Sequence, residues 1–325
     1  MKKKVAYTLL ALLALGGLAI ALLRHNRSTI QTNLSFDKDV TTIGYFPIVN
    51  GLITTSRDMS FLVDTDSGVS QLAAGDVALL KAQGARVDST MMPVMWRDNT
   101  NSMRMSTKVY TVDLPIMAWE PYYGLDGSIY YHRTDSVVNV IHNFNFVPAS
   151  GRTSVIGFNF LKRFIVEYRA AENTIAFHTR QPEGYEPIIP ITEQKDAMSI
   201  MGCTGLPRIQ LDINGQSKDF VIDTSLDLVH VKMPEADTVY ANDKIVKRVM
   251  LTDGGKVVRV LSSRNARARV GSRVGKVTVS YYDYADHDYS VNPFRFTSQD
   301  VLLDFPGHNF CYHAFTDHPI FKQQE

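Results

Sequence analysis

The chain has 325 residues, 45% of them hydrophobic and 21% charged, and a net charge of +1. That balance excludes a disordered chain, and the small charge removes any overall electrostatic case for nucleic acid as a partner. Sixteen Phe and fifteen Tyr favour sheet over helix.

Residues 1–25 stand apart. Lys2, Lys3 and Lys4 precede an uncharged run from Val5 to Leu23, closed by Arg24. In helix the run reaches about 28 Å, close to the hydrocarbon thickness of a bilayer. The lysines belong in the cytoplasm, which puts the body of the protein on the far side. Two readings stand side by side. One is an uncleaved membrane anchor; the other is a signal peptide cut at Ala19-Ile20-Ala21, with Gly16-Gly17 breaking the helix before it. Both predict export to the cell envelope.

Residues 26–42 are polar and read as a stalk. Core strands begin at Tyr45-Phe46-Pro47-Ile48-Val49, followed by the hairpin dipeptide Asn50-Gly51. One helix is expected, about Ala73 to Ala82, ended by Gly84. Pro182, Gly184, Pro187 and Pro190 mark 181–197 as a linker between a first half, 43–180, and a second, 198–325. Cys203 and Cys311 read either as one disulfide formed outside the cytoplasm or as two buried thiols.

Two further stretches have competing readings. Lys256, Arg259, Arg264, Arg267, Arg269, Arg273 and Lys276 fall in one run with no acidic residue. Interleaved valines predict a hairpin with its basic side chains in solvent; the rival is a surface for an anionic partner. Tyr281 to Asp288 holds three Asp and a His, and reads as a solvent turn before it reads as a metal loop. No HExxH, G-x-S-x-G, P-loop or Rossmann spacing occurs, and neither metal nor cofactor is expected.

The halves repeat one another. Phe61-Leu62-Val63-Asp64-Thr65 in the first matches Phe220-Val221-Ile222-Asp223-Thr224 in the second, each after an Asn-Gly turn. Each half also closes alike. Phe164-Ile165-Val166-Glu167-Tyr168 leads to Asn173 and Phe177-His178, and Val301-Leu302-Leu303-Asp304-Phe305 leads to Asn309 and Tyr312-His313. Three apolar residues in a row read as a buried strand. An acid at the end of such a strand must find donors or leave water partly.

These residues resemble the two active-site loops of pepsin-like and retropepsin-like aspartic proteases, whose pattern is apolar-apolar-Asp-Thr-Gly. Ser154-Val155-Ile156-Gly157-Phe158 resembles the apolar-apolar-Gly segment of such a lobe, and Asn292-Pro293-Phe294 stands where its counterpart would be. The resemblance covers roughly residues 43–316. It implies a mainly β, two-lobed, acid-protease-like barrel fold with few short helices. It also implies Asp64 and Asp223 as a proton-sharing catalytic pair acting on a peptide or protein substrate. Thr65 and Thr224 would then bond across the two loops. With both lobes in one chain, no dimer is needed to build a site. The sequence departs from the family where Gly would follow each Asp-Thr, carrying Asp66 and Ser225 instead. If ionised, Asp66 sets a third negative charge beside the pair. Tyr110, Tyr122 and Tyr123 are the candidates for the tyrosine that covers the cleft in that family.

Overall fold

The structure, a computed structural model, describes residues 2–32, 34–38, 40–49, 52–56, 59–97, 103–124, 129–194, 205–225, 231–241, 243–251, 257–282, 289–296 and 299–313. Among these the chain is mainly β, with few helices and two sheets, one of fourteen strands and one of eight.

The same device occurs once in each half. In the first, the strand Met59–Asp64 runs parallel to Ser154–Gly157, which passes into the short helix Phe158–Leu161. In the second, Gln216–Ile222 runs parallel to Ser290–Val291, which passes into the short helix Pro293–Phe296. Gly157 sits so close to the first acid loop that a Cβ there would lie 2.5 Å from the Val69 carbonyl and 2.7 Å from that of Ser67. Asn292 meets the corresponding position differently. Its Nδ2 donates to the Thr224 carbonyl at 3.3 Å, and its Oδ1 accepts from the Phe294 N–H at 3.0 Å.

Burial follows the apolar runs. Phe46, Phe61, Phe144, Phe146, Phe158 and Phe177 are almost wholly enclosed in one core. Each such side chain contributes about 1.5–3 kcal/mol by leaving water. Phe144 packs on Phe146 and Phe160 at ring distances of 4.1 and 4.6 Å.

The closing strands cross between halves. The hairpin Ile165–Arg169 and Thr174–His178 meets the hairpin Val301–Asp304 and Asn309–His313 edge to edge, with Ile165 opposite Asp304 and Tyr168 opposite Val301. The last described strands of the chain therefore belong to the first sheet. Asn173 (φ 48°) and His308 (φ 59°) turn the two hairpins, so the left-handed residue of the second precedes Asn309 by one.

Several expectations meet the structure here. The helix is Ala74–Ala82, with Gly84 at φ 77° just beyond it. Asn214 and Gly215, at φ 53° and 85°, make the left-handed pair that a tight hairpin demands; Asn50-Gly51 lies outside the described residues. The stalk reading needs correction. An N-terminal helix spans Lys2–Thr32, and Ser35–Phe36 then pairs with the strand Ile129–Pro148. Leu34, Phe36 and Val40 are apolar enough to be drawn onto the core. Asn26 donates to the Pro93 carbonyl at 2.9 Å. Val5–Asn26 is long and apolar enough to cross a membrane; its most apolar stretch is not buried against the protein, whereas Asn26 at its end is.

Of the 181–197 segment, residues 181–194 are described, and they hold two strands. Tyr185–Pro190 pairs with Asn309–His313, and Thr192–Glu193 with Pro207–Ile213. Prolines are tolerated in a strand at a sheet edge. Val257–Val270 and Arg273–Tyr282 form the basic hairpin, with Ala266, Ala268 and Val270 buried and Arg264, Arg267, Arg269 and Arg273 exposed. Cys311 is a buried free thiol; Cys203 and the Asp-His turn at 283–288 lie outside the described residues.

Candidate functional site

Each acid stands at the exit of its buried strand. Along Met59–Asp64, Phe61 and Val63 face the core, and the chain turns after Asp64. Along Gln216–Ile222 the last three residues are buried, and the Asp223 N–H bonds the Val291 carbonyl at 2.9 Å.

Burial of a carboxylate needs donors, and both loops supply them. Asp64 Oδ1 accepts from the N–H groups of Asp66 and Ser67 at 3.2 and 3.3 Å. Asp223 Oδ1 accepts from the Ser225 N–H at 3.0 Å and the Ser225 hydroxyl at 2.7 Å. The two loops are stitched together by their threonines. Thr65 Oγ1 donates to the Ile222 carbonyl at 2.6 Å and accepts from the Thr224 N–H at 3.1 Å. Thr224 Oγ1 donates to the Val63 carbonyl at 2.7 Å and accepts from the Thr65 N–H at 3.3 Å. The result is a reciprocal four-bond lock on a local two-fold axis.

The lock brings the carboxyls together. One oxygen from each of Asp64, Asp66 and Asp223 lies within 4.8 Å of the others, and all three residues are at most 5% exposed. The six residues singled out by sequence, Asp64, Thr65, Asp66, Asp223, Thr224 and Ser225, thus converge on one spot.

The acids are not equivalent. Burial, then the charge of Asp64, pushes Asp223 up to about 6, while the Ser225 hydroxyl and Lys232 pull the other way. Asp66 is held well above the usual carboxylate range, first by burial and then by the charges of Asp223 and Asp64. These causes favour its protonated form, which carries no third negative charge. Hydrogen bonding to Asp64 and Asp223 favours its protonated form further. Its Oδ1 is buried with no partner.

Three neighbours escaped the sequence reading. Lys232 lies on Val231–Pro234, a strand joined to the second acid strand through Ser290–Val291. Its ammonium sits 5.1 Å from the Tyr282 ring, and burial lowers its pKa against the opposing pull of Asp223 and Asp66. Its alternation with buried Val231 and Met233 resembles any half-buried strand, so no local signal marks it. Lys232→Met is expected to raise the Asp223 titration further above about 6, because the cation that favours its ionised form is gone. Carboxyl ¹³C chemical shifts followed against pH measure this.

Trp96 and Arg152 are the others. A cavity of about 820 Å³ opens beside Asp64, with Trp96, Arg104, Met105 and Arg152 among its walls. Trp96, Arg104 and Met105 come from the hairpin of Val87–Arg97 and Met103–Tyr123. None of the three tyrosines proposed to cover the cleft lines this cavity. Tyr110 is paired opposite Ser89 and Phe146, while Tyr122 and Tyr123 lie at the far end of the long strand, where Tyr122 stacks on Tyr130 at 5.5 Å.

No family model matches the sequence, and neither does any curated protein. Among solved structures, the chain is similar to the crystal structure of basic 7S globulin from soybean. Identity is 10%, the match covers 84% of this chain and 96% of that one, and the TM-score is 0.45.

Proposed function

We propose that the chain is an aspartic-type endopeptidase of the cell envelope, held at the membrane by its N-terminal apolar helix, with Asp64 and Asp223 as the water-activating pair. One observation carries this reading: two buried acids, delivered by equivalent loops of two halves, with carboxyl oxygens no more than 4.8 Å apart. A water can hydrogen-bond both oxygens across that gap, since each bond spans about 2.6–3.2 Å.

The chemistry follows from the shared proton. Two carboxylates this close resist double ionisation, so one proton stays with the pair. The ionised member takes a proton from the water as it attacks the peptide carbonyl carbon. The protonated member gives its proton to the carbonyl oxygen. The tetrahedral intermediate then collapses: the proton taken from water passes to the amine as the C–N bond breaks, and the other acid recovers its proton from the hydroxyl as the new carboxyl forms. Thr65 and Thr224 fix the two carboxyls relative to each other. Burial and the neighbouring charges favour the protonated form of Asp66, in which it adds no charge to the pair and acts as a donor beside it.

A second reading has its own observation. An oxygen of the Asp66 carboxyl lies within 4.8 Å of one from each acid, where its bulk competes with a bound water. On that basis the alternative is a peptide-binding module whose cleft holds an extended chain by strand-type bonds without cutting it.

A quenched-peptide assay from pH 3 to 7 separates the two. Cleavage is expected on the acid side of about 6, where Asp223 keeps its proton, and lost above it. A statine-type transition-state mimic should block cleavage and stabilise the protein by about 2.7 kcal/mol at a hundredfold excess over its Kd. Binding of peptide without cleavage at any pH would leave only the module.

A further inference from the structure

In the cavity beside Asp64 the Arg152 guanidinium and the Trp96 indole N–H have no acceptor among the described residues. Arg152 reaches it from the loop between Ile129–Pro148 and Ser154–Gly157, and Arg104 from the opposing hairpin. Asp64 is the only acidic residue in the described lining, and Asp64 is already occupied by two loop N–H groups. Among the described residues no carboxylate pairs with Arg152.

The tryptophan gives an independent sign. Trp96 is 6% exposed, and its indole N–H is buried without an acceptor. Indole nitrogen only donates, and a buried donor with no partner is costly to keep. The chain's other tryptophan, Trp119, shows the ordinary solution by donating to the Thr54 carbonyl at 3.0 Å. The Trp96 donor is thus left for an acceptor that arrives from outside.

We propose that this cavity is a specificity pocket for an acidic side chain of the substrate, an Asp or Glu within a residue or two of the bond placed over Asp64 and Asp223. The proposal rests on the peptidase reading for its account of why the bond is cut, but not for its account of binding. The Arg152 guanidinium and the Trp96 indole N–H present donors only, the complement of a carboxylate. Leu62, Met105 and Val155 supply apolar wall for the stem of that side chain and for its neighbours. At about 820 Å³ the space is ample for a glutamate and the residues flanking it.

The test uses the full chain and matched peptides that differ at one position, carrying Glu, Gln, Leu, Lys or phosphoserine. Glu is expected to exceed Gln by about tenfold or more in kcat/KM, the scale of a charge-assisted contact. Arg152→Gln should bring the Glu-to-Gln ratio close to one, and Arg152→Glu should shift preference to a Lys peptide. Trp96 emission reads binding separately in a Trp119→Phe background, with unaltered protein as the control for its folding. Cleavage with equal rates for Glu, Gln and Leu overturns the pocket and keeps the peptidase. Tighter binding of Glu than Gln, with no cleavage of any peptide, keeps the pocket and overturns the peptidase. A phosphoserine peptide preferred over its Glu match overturns the carboxylate assignment in favour of a phosphoryl group.

Discussion

Asp223→Asn is expected to lower peptide cleavage by about 10²–10⁴-fold, the usual contribution of a positioned acid–base group, and to raise the melting temperature at pH 7. The two effects share one cause. In the folded chain Asp223 titrates near 6, against 3.8 for an ordinary Asp. The native state therefore binds this proton more tightly than the unfolded state does. Stability from this group is full below about 4 and falls as pH rises through about 6. A gap of about two pKa units corresponds to roughly 3 kcal/mol. Asparagine never ionises, and its carbonyl oxygen can take both Ser225 bonds that now reach Asp223 Oδ1. Thermal melts of both proteins at pH 4 and pH 7 check the result. The variant should gain several degrees at pH 7 and little at pH 4. A loss of activity with no pH-dependent gain would mean that the side chain is not desolvated.

Asp66→Gly is expected to raise kcat/KM by about tenfold, equivalent to about 1.4 kcal/mol of barrier. The substitution removes a carboxyl with an oxygen within 4.8 Å of both acids, together with its unpartnered Oδ1. A glycine costs about 1 kcal/mol of backbone entropy in the native state, offset by the loss of a buried, poorly bonded group. Asp66→Asn is the informative companion. Were a third charge the impediment, Asn would help as much as Gly. Burial and the neighbouring charges favour the protonated form of Asp66, so Asn keeps both bulk and charge and should leave the rate near its starting value. Equal gains from both substitutions would contradict the neutral state of Asp66, and no gain from Gly would remove its bulk as the obstacle.

Much of the acid pair was legible because its signal is local and doubled. Phe61-Leu62-Val63-Asp64 and Phe220-Val221-Ile222-Asp223 each announce a buried strand ending in an acid, and the repetition links them before any contact is known. The threonine contacts came with the resemblance, and their bonds to Val63 and Ile222 follow from strand ends meeting on an axis. The Pro293–Phe296 helix was hidden because Asn292 replaces the expected glycine while its side chain restores the backbone bonding. Lys232, Trp96 and Arg152 were invisible for a different reason. Each belongs to a segment that is ordinary by pattern, and only long-range packing sets it beside the carboxyls. The stalk misreading came from averaging polarity over residues 26–42, where Leu34, Phe36 and Val40 carry the packing information.

The edge-to-edge meeting of the closing hairpins bears on how the chain matures. The Ala170 N–H bonds the side chain of Asp300, 130 positions later. Until residues 301–313 emerge, the Ile165–Arg169 strand has an unfilled rim, and an open rim invites pairing with a neighbouring copy. Contacts so distant in sequence also form slowly. Completion of the first sheet thus waits for residues 301–313 to be delivered, which makes loss of that hairpin a route to self-association rather than to a smaller working protein.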